Sequence, residues 1–143
     1  MRDSYLINND SLFLDTKLPD NFQNSSVIKT SDIDGDGDLD VFVGNHMITS
    51  DFGKTPESVV LTNNNGVFSS QKLTAGMVND AIWDDFDNDG QKDLIVVGEW
   101  MTPKFFRNQN GELKEVDLVN DELKGLWQSI YPFDIDNDGD TDY

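Results

Sequence analysis

The sequence predicts an all-β protein, a partial β-propeller made of four-stranded antiparallel blades with Asp-rich loops between strands A and B. Three observations support this prediction: an acidic motif written three times, an Asn-rich turn written three times, and short β-branched runs beside both. The acidic motifs begin at Asp32, Asp85 and Asp134, so the period is 53 and then 49 residues. Four-strand units at a period near fifty are typical of propeller blades. A β-sandwich with duplicated halves is the structural alternative.

Each acidic motif reads D-x-D-x-D-G-x-x-D, with carboxylates at positions 1, 3, 5 and 9 and a glycine at position 6. Carboxylates this close repel one another unless a cation lies between them. A hard divalent ion with six to eight oxygen ligands suits such a loop, and Ca²⁺ fits best. An EF-hand is excluded, because position 12 is Val43 or Val96 where that motif needs Glu. The alternative is a solvated acidic turn with no ligand, but three copies of the motif with the same Asp and Gly positions disfavour it.

The strands follow from the residues around the two motifs. Strand A enters the acidic loop, strand B leaves it, and strands C and D form the hairpin around the Asn-rich turn. Apolar β-branched runs such as Leu39–Val43 and Leu94–Val97 predict short buried strands. The predicted A strands are 27–31, 81–84 and 129–133, the B strands 39–43 and 94–97, the C strands 59–61 and 104–106, and the D strands 67–72 and 113–118.

These strands divide the chain into parts of a propeller, and we expect the chain to be a fragment of a longer protein. The predicted parts are a half blade at 4–18, blades at 22–75 and 77–119, and the start of a blade at 126–143. Strand edges left open at both ends favour self-association.

Composition excludes several classes of partner. A net charge of −18 disfavours nucleic acid and anionic lipid. The three motifs hold 14 of the 28 acidic residues (five, four and five). The sequence predicts no membrane span, and no secretory signal stands at Met1. Because millimolar extracellular calcium would fill loops of even modest affinity, we expect an extracellular, periplasmic or cell-surface setting.

No residue pattern predicts catalysis. His46 is the only histidine and the chain has no cysteine, so neither a zinc site nor a Cys-His pair can form. We expect His46 to lie on the surface of a long B–C loop at 46–57. Among the tryptophans, Trp83 and Trp127 are expected to pack between blades, whereas Trp100 is expected in the second B–C loop, where it could bind a ligand.

The acidic loops, each followed by an apolar strand and a glycine (Gly44, Gly98), resemble FG-GAP/VCBS repeats. The stretches Val97–Pro103 (VGEWMTP), Phe105–Asn108 (FFRN) and Gly125–Ile130 (GLWQSI) are similar to the branch related to cartilage acidic protein. The resemblance implies a seven-bladed calcium-binding propeller in the full-length protein, an integrin-like fold, and an extracellular or cell-surface location. It implies binding or scaffolding, and no catalysis.

Carried onto this sequence, the resemblance implies that the carboxylates of each loop bind Ca²⁺, with a backbone carbonyl at position 7. The function expected is that of a non-enzymatic module for cell-surface adhesion and for binding a protein or glycan ligand. The alternative is the propeller portion of a carbohydrate-binding or carbohydrate-degrading extracellular protein. The implied metal residues are Asp32, Asp34, Asp36, Asp38 and Asp40; Asp85, Asp87, Asp89, Gln91 and Asp93; and Asp134, Asp136, Asp138, Asp140 and Asp142.

Overall fold

The computed structural model describes residues 4–9, 12–21 and 23–143, and these contain strands and one short 3₁₀ turn at Asp121–Leu123 but no α-helix. The strands are β1 (Ser4–Asn9), β2 (Leu12–Lys17), β3 (Asn24–Ser31), β4 (Asp40–Met47), β5 (Ser58–Asn64), β6 (Val67–Leu73), β7 (Met77–Asp84), β8 (Asp93–Met101), β9 (Lys104–Gln109), β10 (Glu112–Val116) and β11 (Gly125–Leu126). The predicted all-β fold class is confirmed. Residues 10, 11 and 22 of the predicted half blade and first blade lie outside the described residues.

Two antiparallel sheets of the same design follow one another along the chain. The first has the order β3-β4-β5-β6, and in the second β7, β8, β9 and β10 pair in the same sequence. Strand β1 pairs with β2 in a separate two-stranded sheet. Because consecutive strands run in opposite directions, the acidic loops and the C–D turns lie at one end of each sheet. The B–C and D–A connections therefore lie at the other end.

Three sequence predictions differ from the structure. His46 lies inside β4, not in a loop, because β4 continues to Met47 while pairing with Asn24 of β3. Trp100 lies inside β8, because Gly125 and Leu126 of β11 extend the ladder to Met101. The predicted third A strand at 129–133 forms only one bridge, Phe133 with Asp142. In the other two repeats strand A pairs with a full strand B, β3 with β4 and β7 with β8.

The core lies between the four-stranded sheet β3-β4-β5-β6 and the second sheet, in which β11 is a fifth strand beside β8. Phe42 and Val60 of the first sheet and Leu94, Val96 and Phe106 of the second are almost completely buried in one apolar cluster. At about 25 cal/mol per Å² of apolar surface removed from water, side chains of this size dominate the stabilisation of the pair of sheets. The sheets must therefore fold against each other.

Polar contacts fix how the sheets meet. The Gln71 amide both donates to the Leu113 carbonyl oxygen (2.8 Å) and accepts from the Leu113 N–H (3.1 Å). A Cβ on Gly44 would lie 2.7 Å from Cγ1 of Val78, so only glycine permits this approach of β4 to β7. Among the described residues, no helix has the length and apolar character needed to cross a membrane.

Candidate metal centre

Each acidic loop contains two residues in the left-handed backbone region, at positions 4 and 6. Position 6 is the predicted glycine, with φ of +93° at Gly37 and +90° at Gly90. Position 4 has φ between +58° and +78° in all three loops and is occupied by glycine once and by asparagine twice, at Gly35, Asn88 and Asn137. Glycine and asparagine are the residues that tolerate this conformation best. Glycine or asparagine at position 4 of all three motifs is the sequence signal for this conformation, which the spacing of the carboxylates alone does not indicate.

The loops are held in shape by their own carboxylates. At position 1, Asp32 accepts the Gly37 N–H at 3.0 Å, and Asp85 accepts the Gly90 N–H at 2.8 Å. The third loop repeats this contact. At position 5 each carboxylate accepts the N–H two residues later, at 2.8 to 2.9 Å. At position 1 of the first two loops the second oxygen also accepts a backbone N–H, from Gly35 to Asp32 at 2.8 Å and from Asp89 to Asp85 at 3.0 Å. A carboxylate has about four lone-pair sites, so these oxygens can still contact a cation.

Nine of the fifteen predicted metal residues come together in three groups of three, one group per loop. Within each group, one carboxylate oxygen from each residue lies within 4.8 Å of the others. The groups are Asp32, Asp34 and Asp36; Asp85, Asp87 and Asp93; and Asp134, Asp136 and Asp142. Three other predicted carboxylates lie outside these groups: Asp40, Asp89 and Asp138. The position-7 residues Asp38, Gln91 and Asp140 stay predictions, because their expected ligand is a backbone carbonyl oxygen and the groups contain side-chain oxygens only. All donors in the groups are oxygens, which suits a hard divalent ion such as Ca²⁺.

The ninth position differs between the loops. Both oxygens of the buried Asp40 accept backbone N–H groups, from Ile33 at 2.8 Å and from Asn63 at 2.7 Å. Burial raises the pKa of Asp40 despite these two bonds. In the third loop Asp142 accepts the Ile135 N–H at 3.0 Å.

Asp93, the ninth residue of the second loop, has an incompletely satisfied carboxylate. The residue is fully buried, and its Oδ1 accepts the Asn108 N–H at 2.7 Å. Its buried Oδ2 makes no hydrogen bond of normal length and angle, and the nearby Phe86 N–H lowers the pKa only weakly. Burial raises the pKa of Asp93 to about 6, and the charges of Asp87 and Asp89 add to this effect. A cation between Asp85, Asp87 and Asp93 would compensate the negative charge of the buried Asp93.

The loops also hold the neighbouring C–D turns. Asp40 accepts the Asn63 N–H, and in the second repeat Asp93 accepts the Asn108 N–H, both at 2.7 Å. Each asparagine side chain in turn accepts an N–H three residues later, from Gly66 or Gly111, at 2.8 Å. The sequence predicted the turns but not this link.

Position 7 adds a second link between loop and turn. The Asp38 carboxylate accepts the Asn65 N–H at 2.6 Å, and the Gln91 side-chain oxygen accepts the Asn110 N–H at 2.9 Å. A shift of the acidic loop would therefore also move the C–D turn, which is more than fifteen residues away in sequence.

A guanidinium lies beside the second loop. Arg107 Nε is 2.6 Å from Oδ2 of Asp87, the residue at position 3. The corresponding residue of strand C in the first repeat is Thr62. The two loops therefore differ in local charge although their motifs are the same.

The other candidates occupy varied surroundings. His46 is half-buried, with Nδ1 3.3 Å from the Val78 carbonyl oxygen and Nε2 4.0 Å from Glu99. Trp83 packs against the core, as predicted, whereas the half-buried Trp127 donates its indole N–H to the Leu123 carbonyl oxygen at 3.2 Å. Trp100 is exposed.

Residues 85–143 match the model of a family described as an FG-GAP-like repeat. The chain carries an FG-GAP-like repeat. The match begins at the first aspartate of the second loop and extends through β8, β9 and β10 to the third loop. It confirms the predicted FG-GAP resemblance, while the narrower resemblance to the cartilage acidic protein branch stays a prediction. Searches of curated proteins and of solved structures found no match.

Proposed function

We propose that this FG-GAP repeat chain is a non-enzymatic, calcium-binding β-propeller module that binds a protein or glycan partner outside the cytosol. The observation that carries the proposal is Asp93. Its Oδ2 is buried without a normal hydrogen bond, and one oxygen of its carboxylate lies within 4.8 Å of oxygens of Asp85 and Asp87. A buried, unpaired carboxylate oxygen is costly, and a bound cation removes that cost.

Calcium in the loops would act on structure. The ion would be held by the three grouped carboxylates of each loop, and it would supply positive charge where the loop has only negative charge. Three Ca²⁺ ions would change the net charge from −18 to −12. Since the loop side chains at positions 7 and 9 also accept N–H groups of the C–D turns, a cation that stabilises the loop would also stabilise the adjoining turn.

The absence of catalysis is part of the proposal. A carboxylate that holds calcium is ionised and occupied, so it is a poor general acid or base. The extracellular setting is supported by two arguments. FG-GAP repeats are typical of extracellular proteins, and millimolar calcium outside cells would saturate loops of modest affinity.

The test is a thermal unfolding experiment in calcium, in magnesium and in chelator. At a calcium concentration about a hundredfold above the dissociation constant, one site adds about 2.7 kcal/mol to the free energy of unfolding. We expect a clear rise in Tm with calcium, and a smaller one with magnesium because the smaller ion requires stricter octahedral geometry. An unchanged Tm across the three conditions would contradict the proposal.

A further inference from the structure

A cleft of about 470 Å³ lies at the end of the sheets opposite the acidic loops. Its lining includes Trp100, Met77 and Met101 from the strands and Thr55 from the segment between β4 and β5. Its volume falls within the range of about 300–1,000 Å³ typical of small-ligand sites. The cleft shares no residue with the three acidic groups.

Trp100 has an exposed ring and a strained backbone conformation. The residue is 68% exposed, and its φ is +58° although it lies inside β8. A bulky residue in the left-handed region is strained by about 1–3 kcal/mol, and such strain is typically kept where it has a functional use. An exposed indole brings no compensating burial, so packing does not account for its retention.

The floor of the cleft is tightly packed. A Cβ on Gly98 would lie 2.0 Å from the Met77 carbonyl oxygen, and one on Gly76 would lie 2.6 Å from the Met101 sulfur. Glycine at these two positions therefore lets β7 and β8 meet closely beneath Trp100. This close packing restrains the backbone on either side of Trp100.

The polar groups of the cleft have balanced charge. Glu99 supplies a carboxylate and Lys104 an ammonium, and the exposed Thr55 and Thr74 supply hydroxyl groups. Lys104 donates to the Thr74 carbonyl oxygen and pairs with Glu115, both at 2.8 Å, which leaves one of its three N–H groups available. The walls therefore offer both donors and acceptors around a flat apolar surface, without a net charge that would select an ion.

We propose that this cleft binds a neutral saccharide, with the C–H face of one pyranose ring stacked on Trp100. The hydroxyl groups of a sugar are both donors and acceptors and match Glu99, Lys104 and the two threonines. The apolar face of the ring matches the exposed indole. This inference names a ligand class for the binding role proposed above, and it does not depend on calcium at the acidic loops.

The test is isothermal titration of the calcium-loaded chain with soluble oligosaccharides of glucose, mannose, galactose and N-acetylglucosamine, at up to about 10 mM. Choline chloride is titrated in parallel, because an aromatic ring beside a carboxylate also suits a quaternary ammonium. We expect at least one oligosaccharide to bind and choline not to bind. Binding of choline alone, or of no probe, would overturn the inference.

Variants locate the site. Trp100→Asn removes the ring and places a residue suited to positive φ, so we expect sugar affinity to fall at least tenfold while Tm stays the same or rises. Trp100→Phe should retain most of the affinity. Tyr131→Ala, which removes another exposed aromatic ring outside the cleft, should leave affinity unchanged.

The assignment would be overturned by unchanged sugar affinity in Trp100→Asn, or by an equal loss of affinity in Tyr131→Ala. If Trp100→Asn lowers the Tm, a second variant decides: Thr55→Val removes a hydroxyl group from the cleft, and unchanged sugar affinity in that variant would overturn the assignment. The calcium titration is made separately. A chain that binds calcium but no sugar refutes only this inference, whereas one that binds sugar with no response to calcium refutes only the calcium proposal.

Discussion

Asp93→Asn tests two expected effects of the Asp93 charge: it destabilises the ion-free protein, and it contributes to calcium binding. The substitution keeps the size of the side chain and an oxygen that can accept the Asn108 N–H. It removes the charge from a fully buried group whose pKa is raised to about 6 by burial and by Asp87 and Asp89. The ion-free protein should therefore become more stable.

The magnitude follows from the pKa. A change from 3.8 to about 6, at 1.36 kcal/mol per pKa unit, corresponds to about 3 kcal/mol, and solvent screening near the loop reduces this to about 1–3 kcal/mol. Since the folded-state pKa is raised, the wild-type protein carries this penalty above about pH 6 and loses it as the pH falls to about 4. The gain of the variant should follow the same pH dependence.

Urea unfolding with chelator and with calcium measures both effects. With an m-value of about 2 kcal/mol/M, the ion-free midpoint should rise by about 0.5–1.5 M at pH 7. The increment added by calcium should fall by about 1.4 kcal/mol for each tenfold loss of affinity. Asp117→Asn, an exposed residue outside the loops, is the control for net charge. An Asp93→Asn variant that is less stable without calcium, or that keeps the full calcium increment, would refute the reasoning.

Three further predictions follow from the same geometry. Asp87→Asn should weaken calcium binding to the second loop about tenfold or more, whereas Asn88→Gly, which suits its φ of +58°, should not; equal losses in an amide NMR titration would be inconsistent with the grouping. Arg107→Thr should raise the calcium affinity of that loop by about threefold to tenfold, because the guanidinium competes for Asp87, and Thr62→Arg should lower the affinity of the first loop; no change in either NMR titration would exclude this competition. Burial alone would raise the pKa of Asp80. The ion pair with Lys29 and two backbone N–H groups outweigh burial, so the pKa lies below its usual value. Asp80→Asn should therefore lower the free energy of unfolding by about 1–2 kcal/mol at pH 7. Urea titrations should find that this loss shrinks as the pH falls below 3.8, the usual pKa of Asp, towards the lowered pKa of the folded state.

The acidic loops could be recognised from sequence because an oxygen-rich metal site requires carboxylates at fixed spacing. The strands could be recognised because short β-branched runs such as Val41–Val43 suit a buried, pleated surface. Their ends could not be placed, because pairing with distant residues decides them. Strand β8 reaches Met101 only because Gly125 pairs with it, and this moved Trp100 from the predicted loop into a strand.

The internal contacts of the site were beyond sequence reasoning for a related reason. Asn63 and Asn108 were visible as turn residues, but their partners Asp40 and Asp93 become neighbours only when strand B lies beside strand C. The same holds for the Asp93 oxygen that lacks a normal hydrogen bond, because its burial depends on tertiary packing. The metal identity and ligand set stay predictions.

A crystal structure of the chain grown in calcium would show whether the acidic loops bind the ion. We expect an ion in the second loop at about 2.3–2.6 Å from oxygens of Asp85, Asp87 and Asp93, with corresponding ions in the other two loops. An Asp93 Oδ2 paired with a protein donor instead, in a loop that holds no ion at saturating calcium, would contradict this expectation.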